Sequence, residues 1–484
     1  MDWSKLFNKL TEFTQDPSGA SSQQDREIDD LRCRAEQGDA ESQRQLGNKY
    51  FNGQGVEQNF AEAVRLYRLA AAQGDGKAQG NLGLCYHNGY GVEKNYAEAV
   101  RWYRLAVDQG NDSAQFNLGL CYKNGWGVAQ DYAEAIRLFR LSAEQGNSLA
   151  QYNLGSCYQY GNGVAQDFIE AVRWYRMSAE LGNTDAQSSL GWCYSTGTGV
   201  ALDNAMAVQW WRLSAEQGNA VAQHNMGWCY EYGNGVEQNF DKAARWYKLA
   251  ADQDYANAQV ALGRLFLNGW DDDKLWDEDE SDEDESWDED ESYEDVSEQS
   301  IELELKKLRL LESRALNLFL HAAILGDANG AYEAANLYEH YDDHKDEEMA
   351  ARYYQKAAEQ GHALAQYFLG YKYQEGRGVP QDYSEATYWY RKSAKQGVAT
   401  AQNNLGWCYE NGCGVDQDYA EAARLYRMAA EQNVWRSYFH LGVLYENGWG
   451  VTKDMAEAER CYRIAADNGD DESRRAMHRI RPDL

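Results

Sequence analysis

A dipeptide, Leu-Gly or in one case Met-Gly, returns every 36 residues along most of this 484-residue chain. A fixed period of this length is the signature of a repeat array, in which each unit is one supersecondary element that packs on its neighbours. We therefore expect a stack of similar units rather than a single central core. The glycines of the series are Gly47, Gly83, Gly119, Gly155, Gly191, Gly227 and Gly263, followed after a gap by Gly370, Gly406 and Gly442.

One unit can be read over residues 78–110, where apolar residues at helical spacing predict a short first helix. Gly89 and Gly91 predict a turn after that helix, because positive φ costs glycine little. Asn95 and Glu98 have the spacing of a capping box and predict the start of a second helix. A pair of helices this small cannot bury its own apolar face, so the core has to come from stacking.

The repeated pattern, A-Q-x-x-L-G-x-x-Y-x-x-G-x-G-V followed by D-x-x-x-A-x-x-W-Y-R-x-A-A-E-Q-G, resembles the Sel1-like repeat family, whose units are slightly longer than tetratricopeptide repeats. The resemblance covers roughly residues 25–270 and 303–480. It implies an all-α, right-handed superhelical solenoid of about eleven helix–turn–helix repeats. It also implies a non-enzymatic scaffold or adaptor that binds another protein.

The period breaks after Gly263. Residues 271–298 contain 18 acidic residues and one lysine, with Trp276, Trp287 and Tyr293 among them. The second helix of that repeat resumes later, and Ile301–Leu311 is predicted to extend it. The expected organisation is an N-terminal amphipathic segment and linker over 1–24, repeats over 25–270, a disordered acidic insertion over 271–300, and repeats with a C-terminal cap over 301–484.

The formal net charge is −32, which argues against a nucleic-acid partner because phosphate contacts need clustered Lys and Arg. It favours a protein partner with a basic or apolar segment. No apolar run is long enough to cross a membrane, and the start of the chain lacks the pattern of a secretory signal. Five cysteines spaced 36 apart are expected to be small core residues, with Cys413 the most exposed thiol. These features together predict a reducing, cytoplasmic location.

Catalytic and metal-binding motifs are missing from the sequence: there is no HExxH, P-loop, GxGxxG, GxSxG or SxxK. His340 and His344 have a metal-ligand spacing, but no third ligand is recognisable, so a solvated turn is the preferred interpretation. We therefore expect no enzymatic activity, no cofactor and no metal.

The first helices supply the candidate binding residues. Positions three before, one after and four after each Leu-Gly glycine form one stripe, here called the first-helix face, beside an asparagine at two before. In tetratricopeptide-like stacks this face lines the concave groove, so it could hold a partner segment. Inter-repeat packing for the aromatic residues, and local capping or water contacts for the asparagines, are the competing interpretations. The candidates are Asn81, Phe116, Asn117, Tyr152, Asn153, Trp192, His224, Asn225, Trp228, Tyr367, Tyr371, Asn404 and Trp407.

Two further expectations come from charge. A column of arginines in the second helices is expected to make inter-helix ion pairs: Arg68, Arg104, Arg140, Arg176, Arg212, Arg391, Arg427 and Arg463. The acidic insertion suggests an alternative function, in which it binds a basic protein or mimics nucleic acid.

Overall fold

The computed structural model describes residues 17–270, 298–341 and 345–480, and every regular element within these ranges is an α-helix. Three predictions fall partly or wholly outside the described residues: the amphipathic stretch before residue 17, the acidic segment 271–297 and His344. The helices are α1 Pro17–Glu36, α2 Ala40–Asn52, α3 Phe60–Ala72, α4 Gly76–Asn88, α5 Tyr96–Val107, α6 Asp112–Asn124, α7 Tyr132–Glu144, α8 Ser148–Tyr160, α9 Phe168–Glu180, α10 Thr184–Thr196, α11 Asn204–Glu216, α12 Ala220–Tyr232, α13 Phe240–Ala251, α14 Ala256–Leu267, α15 Glu298–Ile324, α16 Ala328–His340, α17 Glu347–Glu359, α18 Ala363–Glu375, α19 Tyr383–Lys395, α20 Ala399–Asn411, α21 Tyr419–Ala430, α22 Trp435–Asn447, α23 Met455–Asp467 and α24 Asp471–Ile480.

The chain divides into two compact units, Met1–Ala222 and Gln223–Leu484. In each unit the even-numbered helices are the first helices of repeats and the odd-numbered helices are the second, apart from the terminal half-repeats α1 and α24. The eleven first helices α2 to α22 confirm the repeat count predicted from the sequence. The all-α repeat fold is likewise confirmed.

The glycine of the Leu-Gly dipeptide is where the two helices of a repeat come closest. A Cβ built on Gly119 of α6 would lie 2.7 Å from a ring carbon of Phe139 in α7. Phe139 is itself completely buried. Since real Cβ atoms do not approach a ring so closely, any larger residue would push the helices apart. The 36-residue glycine series therefore records a packing requirement.

The second glycine of each turn joins neighbouring repeats. Gly91 has φ +67°, and a Cβ there would lie 2.3 Å from the carbonyl oxygen of Phe60 in the preceding repeat. Both the backbone angle and this close approach demand glycine. The turn of one repeat thus rests on the start of the preceding second helix.

Apart from α15, the second helices begin with an Asn or Asp side-chain cap, as predicted for Asn95, but Glu98 does not return the second bond of a capping box there. Asn95 accepts a hydrogen bond from the Glu98 amide at 3.1 Å, while its own amide donates to the Tyr86 carbonyl at 2.8 Å. Because that amide is already satisfied, the glutamate of the motif is available for another contact. In α3, Glu62 forms an ion pair with Arg65 at 2.6 Å.

The buried glutamine of the Ala-Gln motif forms hydrogen bonds both within its own repeat and to the preceding repeat. Gln79 donates to the carbonyl of Ala71 in the preceding second helix at 3.2 Å and accepts from Gln109 of its own repeat at 2.8 Å. Where leucine replaces the donor glutamine, as Leu181 does, the side-chain oxygen of Gln151 has no partner. The glutamine thus adds a side-chain hydrogen bond to a carbonyl in the last turn of the preceding second helix.

The repeat that carries the insertion keeps its helix pair. Gly263 of α14 approaches the buried ring of Phe319 in α15, with a Cβ–ring distance of 2.5 Å. The single helix α15 spans 27 residues and includes Ile301–Leu311, which confirms the predicted extension of the second helix. The insertion is therefore accommodated between two helices that still pack as a repeat.

The N-terminal half-repeat begins earlier than expected. Helix α1 begins at Pro17, inside the stretch predicted to be a linker, and runs to Glu36. Leu31 and Ala35 are buried against Leu46 and Leu66, so this helix covers the first repeat of its unit.

Candidate functional site

The aromatic candidates three residues before the glycine pack on the core aromatic ring of their own repeat. Phe116 lies 6.0 Å from Phe139 between ring centroids, and Tyr152 lies 5.8 Å from Tyr175. Tyr367 repeats the arrangement in the second unit, 6.1 Å from its core tyrosine. These rings are half-buried, so part of each belongs to the packing of the stack and part faces outward.

His224 occupies the same position with a different ring. Its centroid lies 5.4 Å from Tyr247 and 5.5 Å from Tyr255. Burial lowers the pKa of this histidine, which favours its neutral form. Its Nδ1 lies 3.4 Å from the side-chain oxygen of Asn225.

The asparagine candidates bond mainly within the chain. Asn81 donates to Asn48 of the preceding repeat at 3.0 Å. Asn153 accepts from Lys123 at 3.1 Å, and Asn404 donates to the Tyr390 hydroxyl at 3.2 Å. Asn117 is half-buried on the same face. These contacts fit the interpretation of local bonding at least as well as that of a ladder for a partner backbone.

The tryptophans one residue after the glycine differ in exposure. Trp192 in the first unit and Trp228 in the second are each 40% exposed. Trp407 is half-buried and packs beside Tyr371 on a buried cluster. Trp192 and Trp228 are thus the large aromatic surfaces that the first-helix face leaves open among the predicted residues.

Two exposed tyrosines on this face were missed by the sequence reasoning. Tyr160 is 66% exposed and Tyr232 is 59% exposed, and both stand where most repeats have asparagine at the end of the first helix. The ring of Tyr232 lies 5.7 Å from that of Trp228. The departure from asparagine at this column was the signal that could have identified them.

Glutamates four residues after the glycine form a second feature of this face in the Gln223–Leu484 unit. Glu231, Glu410 and Glu446 each accept a hydrogen bond from a core tyrosine hydroxyl, at 2.6, 2.5 and 2.7 Å respectively. A charge-assisted bond of this kind fixes the orientation of the carboxylate.

Seven of the eight arginines in the column make contacts other than the predicted inter-helix ion pairs. Arg104 donates to the hydroxyl of Tyr122 in the following repeat at 2.9 Å, and five other arginines make the same contact with the tyrosine 18 residues ahead. Arg463 is an exception and pairs with Glu459 in its own helix. For the six arginines the expectation was wrong because a regular tyrosine places its hydroxyl at the repeat junction, within hydrogen-bond distance of the guanidinium.

A buried ion cluster replaces the usual core in one repeat junction. Lys372 stands where most first helices have cysteine, and its side chain is completely buried. Its ammonium lies 2.9 Å from both Glu339 and Glu347. Arg377 also binds Glu347, at 3.1 Å from its Nε. The pKa of Glu347 is held below its usual range, chiefly by the hydrogen bond from Lys372.

Seven of the nine cysteines are buried. Burial raises the pKa of Cys85 to about 12 and that of Cys193 to about 11, so these thiols stay protonated near neutral pH. The most exposed cysteine is Cys33 in α1, not Cys413, which is half-buried in its turn. The prediction for Cys413 assumed a fully open turn, whereas that turn rests on the preceding repeat.

Only one histidine of the His340/His344 pair can be placed. His340 contacts the carbonyl of Asn336 at 3.1 Å through Nδ1, and His344 lies outside the described residues. Across residues 17–270, 298–341 and 345–480, no three His, Cys, Asp or Glu side chains come together as a metal site would require. None of the helices in these ranges is both long and apolar enough to cross a bilayer.

Comparison with known proteins gives consistent matches. The description "Sel1 repeat" matches ten segments of the chain, and a crystal structure of a protective antigen present in uropathogenic Escherichia coli strains, displaying an SLR fold, is 33% identical. That comparison covers 94% of this chain and 91% of the other, with a TM-score of 0.65. A Sel1 repeat protein from Oxalobacter formigenes is also 33% identical, over 47% of this chain and 89% of its own, with a TM-score of 0.44. Proteins with curated descriptions gave no match. The ten matched segments are 40–75, 76–111, 112–147, 148–183, 184–219, 220–255, 328–362, 363–398, 399–434 and 435–470.

Proposed function

The chain belongs to the Sel1 repeat family, and from that premise we propose that it is a non-enzymatic scaffold whose first-helix face binds a segment of another protein. Members of this family typically act as protein-interaction scaffolds. The partner segment we propose is apolar and basic, since the face offers aromatic rings and the chain carries a net charge of −32. We place this interaction in the cytoplasm.

The observation that carries the proposal is the exposure of large aromatic side chains on a face whose core is already complete. Trp192 and Trp228 are 40% exposed, while the glycine beside each one packs on a buried ring of the second helix. Tryptophan and tyrosine are the residue types most enriched among side chains that anchor interfaces. Their exposure on this face therefore favours a partner there.

The acidic insertion is the basis of an alternative proposal, in which residues 271–298 bind a basic protein or occupy it as nucleic acid would. The two proposals differ in what the loss of the insertion does. A scaffold would keep its partner after deletion of these residues, whereas a regulatory acidic segment would lose it.

Site-specific photocrosslinking in cells tests the proposal. A photoreactive phenylalanine analogue is placed at Trp228 on the first-helix face, and for comparison at Leu249, which is 48% exposed on the second helix of the same repeat. Crosslinked proteins are then identified by mass spectrometry. We expect a protein adduct from position 228 that is absent from position 249 and survives deletion of 271–298.

The crosslinked partner is then purified, and its binding to the purified chain is measured. Replacing Trp228 and Trp407 by alanine should weaken partner binding, and Leu249→Ala should leave it unchanged, with thermal melts as the check on folding. Lost stability together with unchanged binding would mean that these rings serve only inter-repeat packing, and the proposal would be wrong. Adducts that need the insertion would favour the alternative.

A further inference from the structure

Two first helices of the Gln223–Leu484 unit carry the same five residues, Gly-Trp-Cys-Tyr-Glu, at 227–231 and 406–410. The tryptophan and glutamate of this sequence are three residues apart, so they lie on the same side of the helix. The two Trp–Glu pairs are Trp228 with Glu231 and Trp407 with Glu410.

The hydroxyl of a core tyrosine holds each glutamate in place. The hydroxyl of Tyr247 donates to Oε2 of Glu231 at 2.6 Å, and that of Tyr426 donates to Oε2 of Glu410 at 2.5 Å. His440 adds a contact to Glu410 at 3.1 Å. Burial opposes ionisation of Glu410, but the bonds from His440 and Tyr426 outweigh it and lower its pKa. Both carboxylates are therefore fixed in orientation through Oε2, and a lowered pKa favours the charged form of Glu410.

The same position in other repeats already holds a cation from the chain itself. Glu339 binds the ammonium of Lys372 at 2.9 Å, and Glu446 binds the guanidinium of Arg479 at 2.5 Å. Within the described ranges, no lysine or arginine lies within ion-pair distance of Glu231. The position thus accepts Lys or Arg side chains, whereas at Glu410 the basic group supplied by the chain is the imidazole of His440 rather than a lysine or arginine.

The first unit contains a natural comparison. Trp192 occupies the same slot as Trp228, but the residue three positions later is Ser195 rather than glutamate. The core ring beneath it is Trp211, whose indole nitrogen donates to the Ser188 carbonyl at 3.0 Å. Trp192 therefore has no carboxylate beside it, and its repeat has no tyrosine hydroxyl at the position that orients the glutamates of the other two repeats.

We propose that each Trp–Glu pair, Trp228 with Glu231 and Trp407 with Glu410, binds one lysine or arginine side chain of the partner segment. The aromatic ring offers its negative face to the cation, and the carboxylate supplies a charge-assisted hydrogen bond. The inference rests on the proposed function, because it gives the first-helix face its chemical preference. It assigns the basic part of the partner to the Gln223–Leu484 unit.

A hexa-arginine peptide is the probe, and hexa-citrulline, which has nearly the same shape without the charge, is its control. Binding is followed by hydrogen exchange and mass spectrometry as protection of α12 and α20 against peptide concentration, so contacts elsewhere in the acidic chain do not enter the readout. The test variant is Glu231→Gln with Glu410→Gln.

Glutamine should preserve the fold at these positions because the chain already uses it there. Gln159 accepts from Tyr175 at 2.5 Å, and Gln374 accepts from Tyr390 at 2.9 Å, in the place of the glutamates. A variant that loses the same two charges elsewhere, Glu93→Gln with Glu237→Gln at exposed turn positions, controls for general electrostatic attraction.

We expect the midpoint of protection to rise by at least about tenfold in the Glu231→Gln, Glu410→Gln protein and by less than about twofold in the turn variant. Hexa-citrulline should protect neither helix. Equal midpoints for the two variants would overturn the inference. Trp228→Leu with Trp407→Leu could abolish protection while the glutamine variant keeps it. The first-helix face would then bind the peptide, but the carboxylates would not select arginine, and the inference would be wrong. If wild-type α12 and α20 show no protection and crosslinking also avoids position 228, the proposed function fails as well.

Discussion

Replacement of Lys372 by methionine should destabilise the junction of α16, α17 and α18. Lys372 is completely buried between Glu339 and Glu347, at 2.9 Å from each. Methionine fills a similar volume, so the packing loss is small, and the main consequence is electrostatic. Glu347 keeps Arg377, but Glu339, whose side chain is only 10% exposed, loses the cation that it binds.

Two estimates bound the loss of stability caused by Lys372→Met. Breaking a buried ion pair by removing one partner typically costs about 3–5 kcal/mol. An unpaired carboxylate can instead take up a proton, which for an ordinary glutamate at pH 7 costs about 3.7 kcal/mol and sets the upper limit. The expected loss is therefore about 3–4 kcal/mol at pH 7. Adding Glu339→Gln should restore more than half of it, because the uncompensated charge is gone.

The pH dependence gives an independent check with a definite sign. Lys372 lowers the pKa of Glu347, so this carboxylate stabilises the fold above its unfolded pKa and loses that contribution as the pH falls. Since that loss begins near the unfolded glutamate pKa of about 4.3, the difference between wild type and Lys372→Met should shrink as the pH falls below about 4.3.

Hydrogen exchange is the suitable assay, since a repeat array need not unfold in one step and global melts would average over many repeats. The local free energy of opening is read from the amides of α16 to α18, with α4 and α6 as the internal reference. Unchanged exchange in α16 to α18 at pH 7, or a loss that is the same at pH 7 and at about pH 3, would refute the electrostatic reasoning.

Three further outcomes are expected. Gly119→Ala should cost about 2 kcal/mol in chemical unfolding, because its Cβ would fall 2.7 Å from the Phe139 ring. Gln79→Leu should cost about 1–3 kcal/mol by removing two hydrogen bonds, to the Ala71 carbonyl and from the Gln109 amide, as measured by local hydrogen exchange. Iodoacetamide at pH 8 should label Cys33 first, while Cys85, whose pKa burial raises to about 12, should react only through unfolding, as mass spectrometry would show.

Each of these has a matched comparison within the chain. Gly110→Ala meets no atom within 4 Å and differs from Gly119→Ala in testing backbone angle alone, at φ +77°. Gln151→Leu should cost less than Gln79→Leu, because the Gln151 oxygen has no partner to lose. Labelling of Cys85 as fast as Cys33 in native protein, or equal losses for the two glutamine variants, would contradict the assigned roles.

Much of the architecture was available from the period alone. The 36-residue spacing of Leu-Gly, the glycines of the turn and the Asn or Asp before each second helix predicted eleven helix pairs and where the second helices begin. Such features are local, because a cap or a turn depends on residues only a few positions apart. The continuation of α15 across Ile301–Leu311 followed from helical spacing in the same way.

The candidate face was predicted less well. The sequence places the candidates at regular positions in the repeat, yet exposure at one such position varies from the open ring of Trp228 to the half-buried ring of Trp407. Identical residues at identical register can differ in this way because exposure depends on the neighbouring repeat, which contributes different side chains each time. Tyr232 escaped notice for the same reason, since its importance comes from lying 5.7 Å from Trp228.

The sequence by itself therefore determined the repeat, its helix pairs and the glycines that let those helices meet, since periodicity and local chemistry decide these. Only the tertiary structure decided which side chains meet across repeats: Arg104 with the Tyr122 hydroxyl, and Lys372 between two glutamates. Those partners lie 18 to 33 residues apart in the chain. Their contact depends on the angle and distance at which one helix pair packs on the next, which no spacing in a single sequence specifies.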